Sequence, residues 1–270
     1  MGKDTKIEWC DHTINLWWGC TKVHTGCDNC YAENTAHRWG NDVWGNNKTR
    51  KEIKKAFPML KKLNQIAKEQ GIKQTVFIGS MMDIFEKPMP LSSNGQNSGE
   101  FHLKTNTLRD ILFAKISNGD YENLIFLFLT KRPSNINKFI IDAWREKAPD
   151  NVWFGCSISD QKTANDLVKK LIVYTPRVCN RFLSIEPQTD KISLEHFPLG
   201  SVNDSVKTIN WVIQGGESGI KRRPFKLEWA YMMRAQCKAA GIPYFFKQID
   251  KVKQIPPDLY VRQFPKEFKK

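Results

Sequence analysis

The sequence lacks any long apolar run. Its longest, Leu124 to Leu129, has the length of a buried strand and falls far short of the roughly 20 residues that cross a membrane. The opening residues, MGKDTKIEW, carry charges with no apolar stretch behind them, so we expect no secretory signal. Such a chain is expected in the reducing cytoplasm, where clustered cysteines serve as ligands or catalysts more often than as disulfides.

Acidic residues and histidines are scarce. The 270 residues include 28 Asp and Glu and five His against 42 Lys and Arg, a formal net charge of +14. This excess predicts an anionic partner such as nucleic acid, with a solvated lysine-rich surface as the alternative. It is concentrated in residues 47–73, which hold nine basic and two acidic residues, and in residues 221–226. The nucleic-acid contacts predicted from these segments are Lys48, Arg50, Lys51, Lys54, Lys55, Arg222 and Arg223.

Tryptophan is concentrated near the start of the chain. Five of the nine tryptophans precede residue 45, directly before the first basic segment. Aromatic faces interleaved with cations are typical of nucleic-acid grooves, where bases stack and phosphates are neutralised. The alternative is that these rings belong to the core, which we expect at least in part for Trp17 and Trp18.

The chain also lacks internal repeats and long low-complexity segments. Short apolar runs alternate with helical patterns, which predicts βα units and a largely parallel sheet. We expect an α/β fold with a single full or partial β/α (TIM-like) barrel over residues 1–250, with the cysteine loop after the first strand. Residues 251–270 are interpreted as a basic C-terminal extension. The predicted strands are Thr13–Trp18, Thr75–Ile78, Leu124–Leu129, Val152–Gly155, Arg181–Ile185, Trp211–Ile213 and Tyr244–Phe246.

Polar or glycine-rich groups follow most of the predicted strands. Six such groups occur, among them Gly79–Asp83, Thr130–Pro133 and Gly215–Gly219. The carboxyl ends of parallel strands meet on one face of a β/α barrel, and the loops there build the active site. The sequence therefore predicts a polar site on that face.

Three of the seven cysteines, Cys20, Cys27 and Cys30, have the spacing C-x6-C-x2-C. Thiolates suit zinc, copper(I) and iron–sulfur clusters. A zinc site needs a fourth ligand, for which Cys10, His12 and His24 are available. A cubane cluster on three cysteines leaves one iron open to a substrate. Both alternatives stay open on spacing alone.

Several motifs carry a resemblance to a known family. They are I-E-W at 7–9, N-x-W-W-G-C at 15–20, G-C-x-x-C-Y-A at 26–32, L-T-K-R-P at 129–133 and G-G-E-S-G at 215–219. Together they resemble the phage-associated three-Cys-motif proteins, which are remotely similar to radical S-adenosylmethionine enzymes. Most radical enzymes of that superfamily have C-x3-C-x2-C with an aromatic residue before the third cysteine. Here the first gap is six residues, and Asn29 stands before Cys30.

The resemblance implies two cofactors and a set of residues for them. A 4Fe-4S cluster on the three cysteines would bind S-adenosylmethionine, and its one-electron reduction by an electron donor would give a 5′-deoxyadenosyl radical. Asp83 or Glu217 is then expected at the methionine ammonium, and Lys131 or Arg132 at the carboxylate. Glu186 or Glu217 is expected at the ribose, with the Gly215 and Gly216 backbone close to the cofactor. The location implied is the cytoplasm of a bacterium or of a phage-infected host cell.

The function expected from these observations is radical modification or repair of nucleic acid or a nucleotide. One alternative is a non-catalytic, zinc-stabilised nucleic-acid-binding protein, which explains the charge and the cysteines but not the polar strand ends. Another is a metal-dependent nuclease or hydrolase that uses Asp83, Glu186 and Glu217 with His12, His24 or His37. The catalytic residues of the radical reaction are not identified from sequence.

Overall fold

The structure is a computed structural model that describes residues 5, 7–92, 103–200, 208–219 and 221–268. Within these residues the chain forms ten strands and six α-helices. The strands are β1 (His12–Ile14), β2 (Trp17–Trp18), β3 (Arg50–Glu52), β4 (Gln74–Ile78), β5 (Leu91–Ser92), β6 (Leu124–Thr130), β7 (Val152–Ile158), β8 (Asn180–Ile185), β9 (Trp211–Gly215) and β10 (Tyr244–Gln248). The helices are α1 (Tyr31–Arg38), α2 (Ala56–Glu69), α3 (Thr105–Ser117), α4 (Ile136–Phe139), α5 (Gln161–Tyr174) and α6 (Leu227–Ala239).

Seven strands form one parallel sheet in the order β1-β4-β6-β7-β8-β9-β10. The sheet curls into a half-barrel with β1 and β10 at its two ends. This confirms the predicted α/β class and, of the two predicted forms, the partial barrel. None of the helices in the described ranges has the length and apolarity that crossing a bilayer demands.

The predicted first strand, Thr13–Trp18, is divided in two. β1 belongs to the large sheet, whereas β2 pairs with β3 in a separate sheet of order β2-β3-β5. The division lets Trp17 turn into the core, where it is fully buried. Cys20 follows β2, so one strand of the small sheet lies between β1 and the cysteines along the chain.

The apolar pattern of the sequence predicts a helix over Ala164–Tyr174, and α5 begins three residues earlier, at Gln161. A capping box explains this start: Asp160 accepts a hydrogen bond from the Thr163 backbone N–H at 2.7 Å, and Thr163 Oγ1 accepts one from the Asp160 backbone N–H at 3.0 Å. In α2 the buried residues Ala56, Leu60, Leu63 and Ala67 form one face at helical spacing.

The inner face of the half-barrel is filled near the amino ends of the strands by an aromatic cluster. We call it the aromatic floor, and its rings are Trp9, Phe77, Trp153, Phe182, Trp211, Phe245 and Phe268. Alternate residues of the same strands face the helices instead, as the two-residue period of a strand requires. The floor closes one end of the half-barrel and leaves the other end open.

The predicted C-terminal extension contributes to this floor. Phe268 packs its ring 4.9 Å from Trp153 and 5.3 Å from Trp211, measured between centroids. The Trp211 indole donates a hydrogen bond to the Gln263 carbonyl, and the Phe246 backbone N–H donates one to the Val261 carbonyl. The part of residues 251–270 that the structure describes is therefore packed against the barrel and is not a free basic tail; residues 269–270 lie outside it.

We expect Phe268→Ala to lower the free energy of unfolding by about 3 kcal/mol, because it empties a buried aromatic position in the floor. Urea unfolding followed by tryptophan fluorescence measures the change. Phe264→Ala is the matched control: that ring also contacts Trp211 but is 43% exposed, so its loss is expected to cost less than half as much. Equal stability of Phe268→Ala and wild type would show that the end of the chain does not support the floor.

Candidate functional site

A cavity opens above the aromatic floor at the carboxyl ends of the parallel strands. It encloses about 1120 Å³ of space between protein atoms, including its open mouth. Its wall contains all three motif cysteines and six of the seven residues predicted to bind the cofactor. These lining residues are Cys20, Cys27, Cys30, Asp83, Lys131, Arg132, Glu186, Gly216 and Glu217. The predicted site residues, which are distant in sequence, therefore meet in one place.

The cysteine loop, residues 20–30, is held by short local structure. Cys27 ends a single 3-10 turn, Thr25–Cys27, and Cys30 is the N-cap of α1. His24 caps the turn by accepting a hydrogen bond from the Gly26 backbone N–H at 3.0 Å. A β-carbon at Gly26 would lie 2.1 Å from Ser159 Oγ, so only glycine lets the loop pack against the strand β7 end.

The Cys20 thiol lies beside a guanidinium group. Arg132 Nη1 is 3.7 Å from Cys20 Sγ. Desolvation raises the pKa of Cys20 to about 12, although the positive charge of Arg132 opposes this shift. Burial also raises the pKa of Cys30. Both thiols are therefore protonated at neutral pH until a metal or cluster displaces their protons.

The three thiols open onto one cavity, but they do not lie close enough together to bind one metal ion. Among the residues that the structure describes, no group of three or more His, Cys, Asp and Glu side chains is close enough to hold a metal ion. The donors fit an iron–sulfur cluster in chemistry and number, since three cysteines open onto one cavity. Cluster binding would require the thiols to approach one another more closely.

Asp83 and Arg132 form an ion pair in the cavity wall. Arg132 Nη1 is 2.8 Å from Asp83 Oδ2, and both side chains are nearly buried. Asp83 also accepts hydrogen bonds from the Thr130 hydroxyl at 2.7 Å and from the Lys131 backbone N–H at 3.2 Å. Asp83, one residue predicted for the cofactor's ammonium, and Arg132, one residue predicted for its carboxylate, are thus occupied with each other.

Lys131 differs from the other cations of the cavity. Lys22 pairs with Glu33, and Lys247 with Glu186. Within the described chain, Lys131 is the one lysine or arginine of the cavity wall whose side chain has no ion pair or hydrogen bond. Its ammonium is therefore free to receive an anionic group.

Lys247 and Tyr31 are functional candidates that sequence reasoning did not assign. Lys247 leaves β10 on the inner face and pairs with Glu186, which the sequence places after β8. Tyr31, the residue after the last motif cysteine, donates a hydrogen bond to the Ser80 carbonyl at 2.9 Å, and its ring is half exposed in the cavity. Lys247 directly follows the apolar run Tyr244–Phe246 in the sequence, and this position is the signal that could have identified it.

The glycine pair at the end of β9, Gly215 and Gly216, packs against the end of β10. A β-carbon at Gly216 would lie 2.0 Å from the Ile249 carbonyl oxygen, and one at Gly215 would contact Gln248. The missing side chains therefore make room for the neighbouring strand end of β10. Gly216 still lines the cavity, whereas Gly215 does not.

Arg50 cannot contact a polynucleotide in this fold, so its assignment to nucleic acid is wrong. Its side chain is fully buried and pairs with Glu86 at 2.8 Å. It also donates to the Val43 carbonyl and to the Thr21 hydroxyl. A guanidinium has five donors, and here the surrounding carboxylate and carbonyl oxygens use them. Charge density along the sequence does not reveal such burial.

Arg223 holds the cysteine loop. Its guanidinium donates to Glu217 Oε1 at 2.7 Å and to the Thr25 carbonyl at 3.1 Å, while Asn29 donates to Glu217 Oε2 at 3.1 Å. Burial alone would raise the pKa of Glu217, but the hydrogen bonds from Arg223 and Asn29 outweigh it and lower that pKa. We call this set the Glu217–Arg223 clasp. Because it joins the loop after β9 to the cysteine loop, neither Glu217 nor Arg223 is free for its predicted ligand.

The other predicted nucleic-acid residues lie at the surface. Arg222 pairs with Asp250, and Lys48 with Asp42. Lys54 and Lys55 are exposed, and Lys51 is half-buried with its ammonium 5.9 Å from the centroid of Trp18. Lys51, Lys54 and Lys55 thus stay accessible to an anionic partner.

The acid and histidine set of a hydrolase is not assembled. His12 stands at the amino end of β1, away from the cavity, where its Nε2 lies 3.0 Å from Gln74 Oε1. His37 is exposed near the end of α1, and neither residue lines the cavity. Asp83 and Glu217 are each bound by an arginine.

The comparisons with known proteins give one family. Residues 4–263 match the model of a family described as proteins of unknown function, DUF5131. No curated protein and no solved structure matches the chain. Since the match spans nearly the whole sequence and includes every element that builds the cavity, the chain belongs to the DUF5131 family.

Proposed function

We propose that this protein is an enzyme of the radical S-adenosylmethionine type, related to the phage-associated three-Cys-motif proteins, that acts on nucleic acid or a nucleotide. One observation carries the proposal. Cys20, Cys27 and Cys30 open onto the same strand-end cavity as Lys131 and Glu186. A metal site used only for stability has no need of a large cavity with charged side chains in its wall.

The two cofactors would supply hydrogen abstraction, and the chain's own residues would bind and orient them. Cys20, Cys27 and Cys30 would hold the 4Fe-4S cluster. The aromatic floor closes the cavity from below and keeps water from that end. The electron needed for each turnover would come from a separate donor.

Lys131 is the residue we assign to the carboxylate of S-adenosylmethionine. Arg132 is held by Asp83 and lies 3.7 Å from Glu86, so its charge is already compensated. Among the residues that the structure describes, Lys131 has no such partner, and a free ammonium attracts a carboxylate without breaking an existing pair. Asp83 then orients Arg132 beside Cys20, and Glu186, which Lys247 holds at the cavity wall, is the residue we assign to the ribose.

We expect Lys131→Gln to weaken binding of S-adenosylmethionine by about 10-fold, the effect of losing one charge-assisted contact of about 1.4 kcal/mol. Titration calorimetry on the anaerobically reconstituted protein measures it. Lys54→Gln is the matched control, because Lys54 is exposed and lies outside the cavity wall. The affinity of this variant for S-adenosylmethionine should equal that of wild type.

Two results would count against these assignments. Equal affinity of Lys131→Gln and wild type would exclude Lys131 as the carboxylate ligand. No binding of S-adenosylmethionine to iron-loaded wild type would reject the cofactor assignment itself.

A further inference from the structure

Trp39 is the most exposed large apolar side chain in the described part of the chain, at 71%. Its backbone is nevertheless fixed. The Trp39 N–H donates to the Ala36 carbonyl at 3.1 Å, and the Trp39 carbonyl accepts from the Asn41 side chain at 2.9 Å. The exposure therefore belongs to an ordered position at the end of α1 and not to a frayed end.

Hydrogen bonds and ring contacts connect Trp39 to the cysteine loop. Asn41 also accepts a hydrogen bond from Lys51 at 2.7 Å, and Lys51 lies over the ring of Trp18. Trp18, Cys20 and Cys30 all pack against one buried cluster, which includes Ala32 and Ala36 of α1. Trp39 thus lies on the same local structure as the cavity wall.

Cations belong to the same part of the structure as this ring. Arg38 is the exposed residue that precedes Trp39, Lys51 is linked to Trp39 through Asn41, and Lys54 and Lys55 are exposed after β3. Arg50 and Lys48 are neutralised by Glu86 and Asp42 and do not contribute. An exposed indole among cations is the arrangement on which proteins stack bases of single strands while binding the phosphates.

The path from the ring to the cavity has a defined length. Helix α1 begins beside Cys30, its first residues Tyr31 and Ala32 line the cavity, and Trp39 follows its last turn. Eight residues of α-helix extend about 12 Å, a distance that a short single-stranded segment can span. A base inside a duplex would not reach an enclosed cavity without leaving its stack.

We propose that Trp39 stacks on a base of single-stranded nucleic acid and that another nucleotide of the same short segment enters the cavity. This inference rests on the nucleic-acid part of the proposed function and names the substrate as single-stranded. Lys51 and Arg38 contact the phosphates between the two positions.

The test is fluorescence anisotropy with a labelled oligothymidylate and the intact, reconstituted protein. Trp39→Ala is expected to weaken binding about 10-fold, whereas Trp39→Phe, which keeps an aromatic face, recovers most of the loss. Tyr174→Ala is the control, because Tyr174 is a partly exposed ring at the end of α5, which leads to the opposite end of the barrel. Binding of wild type should also quench more tryptophan fluorescence than binding of Trp39→Phe.

Three results would overturn the inference. If wild type binds the oligonucleotide and Trp39→Ala binds it equally well, Trp39 is not the stacking surface, and the proposed function stands. If duplex binds as tightly as single strand, the substrate assignment is wrong. If wild type binds neither at low salt, the nucleic-acid part of the proposed function falls as well, while binding of S-adenosylmethionine tests the cofactor part separately.

Discussion

Anaerobically reconstituted wild-type protein is expected to bind about four iron and four sulfide ions per chain and to be brown. Replacing Cys20, Cys27 or Cys30 singly by serine should remove most of the bound iron. Each residue supplies one of three thiols to the cavity, and serine is a poor ligand for iron in place of a thiolate. Iron and sulfide analysis with the visible absorption spectrum measures the loss.

Cys237→Ala is the matched control for these variants. Cys237 is buried on α6 in the main core and does not line the cavity. The iron content of the Cys237→Ala protein should therefore equal that of wild type. Wild-type protein that stays colourless and carries one zinc ion per chain would favour the zinc-stabilised alternative. Unchanged iron content in all three serine variants would mean that the cluster, if present, lies elsewhere.

The second large effect is expected in stability. Arg50→Met should lower the free energy of unfolding by about 3–5 kcal/mol, because it leaves Glu86 buried without its main partner. It also removes the hydrogen bonds to the Val43 carbonyl and to the Thr21 hydroxyl, and the second of these joins the small sheet to the start of the cysteine loop. Urea unfolding of the cluster-free protein measures the change apart from any effect of iron.

Lys54→Met serves as the control for Arg50→Met. It removes a positive charge from the same basic segment at an exposed position, so its effect on stability should stay within about 0.5 kcal/mol. A similar small effect for Arg50→Met would contradict the buried ion pair and would restore Arg50 as a residue for nucleic-acid contact.

The sheet and the site were predictable to different degrees. The strands of the large sheet are continuous apolar runs, typical of parallel strands buried on both faces, and β4, β6 and β8 therefore lie within one residue of their predicted bounds. Helix α1 was missed because its eight residues include only two buried alanines and no strong apolar stripe. Its position depends on Cys30 and on the tertiary contacts around it.

Sequence order located the cavity but not the pairing inside it. Because parallel strands end on one face, the sequence alone predicts one site for Asp83, Lys131, Glu186 and Glu217, and all four line the cavity. Which of these charges is free depends on distances that the sequence does not encode. The Asp83–Arg132 pair and the Glu217–Arg223 clasp join residues 49 and six positions apart. Only the fold shows that Lys131 is left unpaired within the described part of the chain.

The most direct test of the account is the release of 5′-deoxyadenosine. Reconstituted wild type, incubated anaerobically with dithionite and S-adenosylmethionine, should produce this nucleoside, as quantified by chromatography and mass spectrometry. Cys27→Ser should produce none above the protein-free background, and Cys237→Ala should match wild type. Iron-loaded wild type that binds S-adenosylmethionine but releases no 5′-deoxyadenosine under these conditions would contradict the proposed radical chemistry.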